Sequence, residues 1–207
     1  MPLAYREESE HGVWGIWKMN EETDADFEPM LGASLVSAIR QQFPNSQHRR
    51  MERLCTRALL KQLIGITDVG YHPSGSPFLI GDSRYISISH TTGYAAVSIS
   101  TERTGIDIER YSDRVSRVAP RFMRSDEQAL PYLGTDIWSL LLHWSAKETL
   151  YKYLDIEGTD LREHLRIYPF APQPHGIMQA QEYRTPQCQT LSISYHILPD
   201  AVLTMIV

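Results

Sequence analysis

The chain has 207 residues, 42% of them hydrophobic and 22% charged, and carries a net charge of −5. That length supports one sizeable core or two lobes of about 100 residues each. The acidic balance excludes a nucleic-acid binder driven by phosphate neutralisation, which needs a large basic field. Cys55 and Cys188 match no metal-ligand spacing and read as reduced thiols. Residues 1–12 lack the apolar core of a secretory signal, and the apolar runs near 137–142 and 201–207 are too short to span a bilayer. A cytoplasmic protein is expected.

In chain order, Val13-Trp14-Gly15-Ile16-Trp17-Lys18-Met19 has apolar residues at odd and even positions, predicting a strand covered on both faces. An acidic loop, 20–26, and a helical segment, 34–43, follow. Ser46 as N-cap and Gly65 as stop delimit the next helix. Its buried stripe is Met51, Leu54, Cys55, Ala58 and Leu59. Arg50, Arg53 and Arg57 share another face, which is either a solvated basic face or an anion-binding one. Residues 71–79 form a turn-rich loop punctuated by Pro73, Gly75 and Pro77. A strand then ends at Ser89-His90-Thr91-Thr92-Gly93, and 95–100 returns. The turn Thr101-Glu102-Arg103-Thr104 reads as leading this hairpin into the next strand, so that all three share one antiparallel sheet.

That next strand is Gly105-Ile106-Asp107-Ile108-Glu109-Arg110. Alternation turns Ile106 and Ile108 inward and projects Asp107 and Glu109 together from the other face, roughly 7 Å apart. Two such carboxylates need open water, a shared proton or a cation between them. Arg114, Arg117, Arg121 and Arg124 step by three and four and would make one basic face on a helix, which Pro120 interrupts. A helix over 137–154 places Leu141, Ser145, Glu148 and Lys152 on one face and Leu142, Ala146, Leu150 and Tyr153 on another. Glu148 and Lys152 alone are an ordinary surface ion pair. With Asp107 and Glu109 they supply a third hard oxygen ligand for Mg²⁺ and a cation suited to phosphate. A metal-dependent nuclease could use the same groups, but the chain lacks the basic groove that such an enzyme requires. Near the C-terminus, Ser192-Ile193-Ser194-Tyr195 echoes Ser87-Ile88-Ser89-His90 about half a chain later, suggesting an internal duplication, and a last strand is expected over 201–207.

Gly105-Ile106-Asp107-Ile108-Glu109, followed about forty residues later by Trp144-Ser145-Ala146-Lys147-Glu148-Thr149-Leu150-Tyr151-Lys152, resembles the signature pair of the 4′-phosphopantetheinyl transferases. These enzymes move the phosphopantetheine arm of coenzyme A onto a serine of a carrier protein. The chain is similar to their longer single-chain type, that of the surfactin-synthetase-activating enzymes. The resemblance implies an α+β fold of two similar lobes, 1–103 and 104–207. Each would be a long helix on an antiparallel sheet, and the lobes would be related by pseudo-twofold symmetry in a monomer, with the nucleotide in the cleft between them. It implies Mg²⁺ on Asp107, Glu109 and Glu148, and catalytic roles for Asp107, Glu148 and Lys152. Coenzyme A contacts would come from Arg49 or Arg50, Ser89, His90 and Lys152.

The implied partner is an acyl or peptidyl carrier protein, acidic around its serine, for which the arginines of 114–124 are the candidate docking surface. Phe122 and Glu127 stand where relatives often have phenylalanine and an acid. One departure is Ser76, within Gly75-Ser76-Pro77, where many relatives carry lysine. The alternative reading is a coenzyme A or carrier-binding module without transfer activity.

Overall fold

The computed structural model describes residues 3–206; Met1, Pro2 and Val207, the last of the predicted final strand, lie outside them. The chain divides after Arg103 into two compact units. Both mix α-helix with antiparallel sheet, an α+β fold.

The first unit contains β1 (Leu3–Glu8), β2 (Gly12–Lys18), a 3₁₀ turn (Asp24–Phe27), α1 (Glu28–Leu31), α2 (Ala33–Gln42), α3 (Gln47–Ile64), the small hairpin β3 (Val69–Tyr71) and β4 (Pro77–Leu79), then β5 (Tyr85–Thr91) and β6 (Tyr94–Ser100). Its main sheet has the order β1-β2-β6-β5. Val13, Trp14, Ile16 and Trp17 are all buried, as the doubly apolar pattern of β2 requires. No pattern announced β1: Arg6, Glu7 and Glu8 are exposed on this edge strand, which is held by backbone pairing to β2 and by Tyr5 stacked on Trp14 at 4.6 Å. Helix α3 starts where the Ser46 hydroxyl accepts the Arg49 N–H and stops at Gly65, whose φ of 74° is the left-handed conformation of a helix end. Leu54, Cys55, Ala58, Leu59 and Leu63 are its buried stripe, each leucine contributing about 1.5–3 kcal/mol by leaving water.

The second unit contains β7 (Ile106–Arg110), α4 (Arg114–Phe122), α5 (Ile137–Leu154), β8 (Leu165–Ile167), β9 (His175–Glu182), β10 (Thr190–Ile197) and β11 (Ala201–Ile206), with the sheet order β7-β11-β10-β9-β8. Helix α4 runs through Pro120, which lacks the N–H that would bond the Ser116 carbonyl and sits near the C-terminal end of the helix. Helix α5 is not two-faced: residues on nearly every side of it are buried, as befits a helix apolar all round.

The expected continuation of the 85–100 hairpin into the Asp107 strand is corrected. The far edge of β6 is taken by β2, with Gly12 opposite Ser100, and β7 pairs instead with β11, Thr204 opposite Asp107. His90 and the carboxylate pair therefore belong to different sheets. Pairings between strands this distant in sequence leave no local signal. The same connection recurs in each unit: a strand, an 18-residue helix and a hairpin whose second strand inserts beside the first strand, as β2-β6-β5 and β7-β11-β10. The echoed tetrapeptides fall on β5 and β10, which hold equivalent places in the two sheets. Among the described residues no helix is long and apolar enough to cross a membrane.

Candidate active site

In the second unit, Ile106 and Ile108 of β7 are fully buried and fix the strand on the core. Helix α5 crosses β7 so closely that a Cβ on Gly105 would lie 2.3 Å from the Thr149 carbonyl oxygen. Only glycine permits that approach, and it brings the Asp107 strand and the Glu148 helix together. Behind Asp107, its cross-strand neighbour Thr204 shares hydroxyl hydrogen bonds with Ser145 at 2.8 Å and Thr149 at 2.7 Å. Lys152 Nζ donates to Asp107 Oδ1 at 2.7 Å and to the Ile106 carbonyl at 3.1 Å, so its ion pair is with the strand.

The Lys152 ammonium is paired with Asp107, and its charge also acts on Glu109 and Glu148. Burial, and next the charge of Asp107, push Glu109 up to about 7, against the opposing pull of the Trp144 hydrogen bond and Lys152. Burial and Asp107 likewise raise Glu148, with Lys152 opposing. Carboxyl groups whose proton affinity is raised by burial and by a neighbouring carboxylate favour a cation beside them. Among the described residues no three acidic, histidine or cysteine side chains already converge on one point. The fit to Mg²⁺ therefore rests on donor chemistry: hard carboxylate oxygens in excess of positive charge.

Two supports of this site carry no mark in the pattern of charges. The Trp144 indole N–H donates to Glu109 Oε1 at 2.8 Å, and the Phe122 ring packs edge-on against that indole at 5.2 Å. Lys147, next to Glu148, is fully buried; its Nζ donates to Glu127 Oε2 at 2.8 Å and to the Phe122 carbonyl at 2.6 Å. Glu127 also accepts the Arg124 and Ile167 N–H groups, so one carboxylate ties α5 to β8 and to the chain after α4. Burial lowers the proton affinity of Lys147, with Glu127 opposing. A lysine amid the apolar residues of α5 was the available signal.

Arg114, Arg117 and Arg121 are exposed on α4. Arg124 leaves that face: it lies beyond the helix end and binds Asp126 and the carbonyls of Arg162 and Glu163.

In the first unit the two alternative arginines separate. Arg50 is built into the fold, its Nε on Asp24 at 2.8 Å and its Nη1 on the carbonyls of Phe43 and Pro44, whereas Arg49 is exposed on the first turn of α3. Ser89 is buried and His90 half-exposed at the end of β5. His90 Nδ1 lies 2.9 Å from Glu52 Oε1. Arg53 stacks over Tyr71 at 4.3 Å, and Arg57 Nη2 donates to the Val69 carbonyl at 3.1 Å. Burial draws Arg57 down to about 10. All three arginines of the basic face, Arg50, Arg53 and Arg57, are thus partly withdrawn from solvent. Ser76 lies in the β3–β4 turn, where its hydroxyl meets that of Ser74 at 2.9 Å.

Comparison with curated proteins finds no match to the chain. A family model, that of the 4′-phosphopantetheinyl transferase superfamily, matches residues 103–206, half of the chain and the whole described stretch from β7 to β11. With the two signature stretches on the adjoining strand and helix of that unit, the chain belongs to the 4′-phosphopantetheinyl transferase superfamily.

Proposed function

We propose that the protein transfers the 4′-phosphopantetheine arm of coenzyme A to a serine of an acyl or peptidyl carrier protein, releasing adenosine 3′,5′-bisphosphate. The observation that carries this reading is the placing of the two signature stretches on adjoining β7 and α5, where Lys152 pairs with Asp107 and the charge of Asp107 reaches Glu109 and Glu148, within the region matched by the superfamily. Asp107, Glu109 and Glu148 would hold Mg²⁺, which supplies positive charge to a diphosphate whose bridging bond is breaking. In the transfer, the serine oxygen bonds to the phosphorus that carries pantetheine, the bond from that phosphorus to the bridging oxygen breaks, and the leaving phosphate keeps the electron pair. Glu148 takes the serine proton; a carboxylate that also holds Mg²⁺ is a weaker base, so its two roles compete. Lys152 orients Asp107 and offers its ammonium to the phosphates.

Of the residues of the first unit, Arg49, Ser89 and His90 are the proposed coenzyme A ligands. Arg50 is assigned a structural role by its bonds to Asp24 and the backbone. The exposed arginines of α4 are the proposed docking face for the acidic carrier.

The test is intact-mass spectrometry of an acyl and a peptidyl carrier protein, each incubated with the protein, coenzyme A and Mg²⁺. A gain of one phosphopantetheine that disappears with chelator is expected, and Glu148→Gln should abolish it while the fold persists. Near-normal turnover by that variant removes Glu148 from the mechanism. Ser76, standing where many relatives have lysine, favours a second reading, a binding module without transfer. Coenzyme A binding with no mass gain on either carrier would select that one.

A further inference from the structure

On the first turns of α3, one carboxylate oxygen serves two imidazoles. Glu52 Oε1 lies 2.9 Å from His90 Nδ1 and 2.9 Å from His48 Nε2. The Glu52 side chain is only 13% exposed, whereas His90 is 46% and His48 68% exposed, so the acid is the fixed member and the two rings are those that solvent reaches. A carboxylate accepts, so each of these ring nitrogens carries its hydrogen. For His90 that assigns the proton to Nδ1. An anion meeting the ring at Nε2 then finds a donor only if His90 is the imidazolium, protonated on both nitrogens.

We propose that Glu52 is the positioning residue of His90, holding its ring by Nδ1 and favouring its charged form, and that His48 tunes this effect by competing for the same oxygen. The inference rests on the reading of His90 as a ligand of a coenzyme A phosphate. A neighbouring carboxylate keeps a histidine protonated to higher pH, and a second donor on the same oxygen weakens that influence. On α3 the charged and titratable groups next to Glu52 are His48, Arg49 and Arg53, and the loop after β2 adds Glu21, whose Oε2 lies 4.0 Å from Cys55 Sγ. The flanking strands add little, since β6 brings Tyr94 and β4 no ionisable side chain; β5 itself adds Tyr85. Glu52 is the carboxylate in contact with His90, and the pH range over which His90 can hold a phosphate depends on that contact.

The test combines ring-proton NMR titration of His90 with the pH profile of KM for coenzyme A, in the full chain. Glu52→Gln keeps an oxygen that can accept from Nδ1 but removes the charge. The His90 titration midpoint should move to lower pH by about one unit. KM for coenzyme A should rise up to about tenfold at pH 8, with little change at pH 6 and a smaller effect on kcat. His48→Leu, at an exposed site, should move the midpoint the opposite way. An unmoved His90 midpoint in Glu52→Gln, or shifts of the same sign in both variants, overturns the proposal. His90→Ala is the separate control. If it leaves KM for coenzyme A unchanged, the reading of His90 as a phosphate ligand falls, and the proposal with it, whereas a raised KM alongside an unmoved midpoint sinks the proposal alone.

Discussion

Single residues here carry opposed demands of charge and burial. Glu109 is raised to about 7 by burial and by Asp107, so its contribution to stability is present below its ordinary value of 4.5 and lost as pH rises through 7. Glu109→Gln should therefore stabilise the metal-free protein at pH 8, while abolishing the rise in melting temperature expected of the unsubstituted chain with Mg²⁺; a pair of thermal melts with and without Mg²⁺ measures both. His143 shows the reverse sign. It is buried in α5, its Nδ1–H donates to the Ser139 carbonyl at 2.8 Å, and its Nε2 has no hydrogen-bond partner. Burial lowers its proton affinity below the ordinary 6.5, the Ser139 bond opposing in part. Below that pH the unfolded chain takes up a proton that the folded chain resists, so stability falls by up to about 1.4 kcal/mol per pH unit. Urea titrations between pH 7 and 5 should show this slope, reduced in His143→Leu.

At the scale of elements, the meeting of β7 and α5 positions the candidate site. Gly105→Ala places a methyl against the Thr149 carbonyl, a backbone atom that cannot swing aside, so strand and helix must separate. A cost of about 1–3 kcal/mol is expected, together with a loss of turnover larger than the loss of stability explains, because Asp107 and Glu148 sit on the two displaced elements. Urea unfolding and the carrier assay measure the two separately. Lys147→Met breaks a fully buried pair and leaves the Glu127 carboxylate without its cation. The expected cost is about 3–5 kcal/mol by the same unfolding measurement. Trp144 and Glu127 show why supporting residues escape a reading of charge patterns. Their partners lie 35 and 20 residues away, and neither spacing belongs to a helix or strand period.

At the scale of the whole molecule, the chain is acidic, with a net charge of −5, and its proposed partner is acidic as well. Encounter is then opposed by the overall field, and a local basic face must offset it. Arg114, Arg117 and Arg121 supply one on α4. The triple variant R114E/R117E/R121E should raise KM for an acyl carrier protein at least about tenfold at low salt while leaving KM for coenzyme A unchanged. An equal effect on both would remove α4 as a docking face.

Local chemistry was readable without coordinates. The period-2 alternation that pairs Asp107 with Glu109, the caps Ser46 and Gly65, and the signature around Glu148 all depend on neighbours a few residues apart, and that proximity exists in any conformation of the chain. Strand β1 was not readable, since an exposed edge strand needs no apolar pattern and is held by its neighbour's backbone. Nor was the partner of β7, because the closing pairing spans nearly the whole second unit. Tertiary structure also separated Arg49 from Arg50, adjacent residues of one type, by burying an aspartate beside only one of them. It alone brought Glu52 to His90, and Lys152 to Asp107, across 38 and 45 residues. Sequence by itself determined which chemical groups are present and which faces they share within one element. The third dimension decided which of them meet, because meeting depends on how separate elements pack, and packing is set by the sum of many weak contacts that no short stretch encodes.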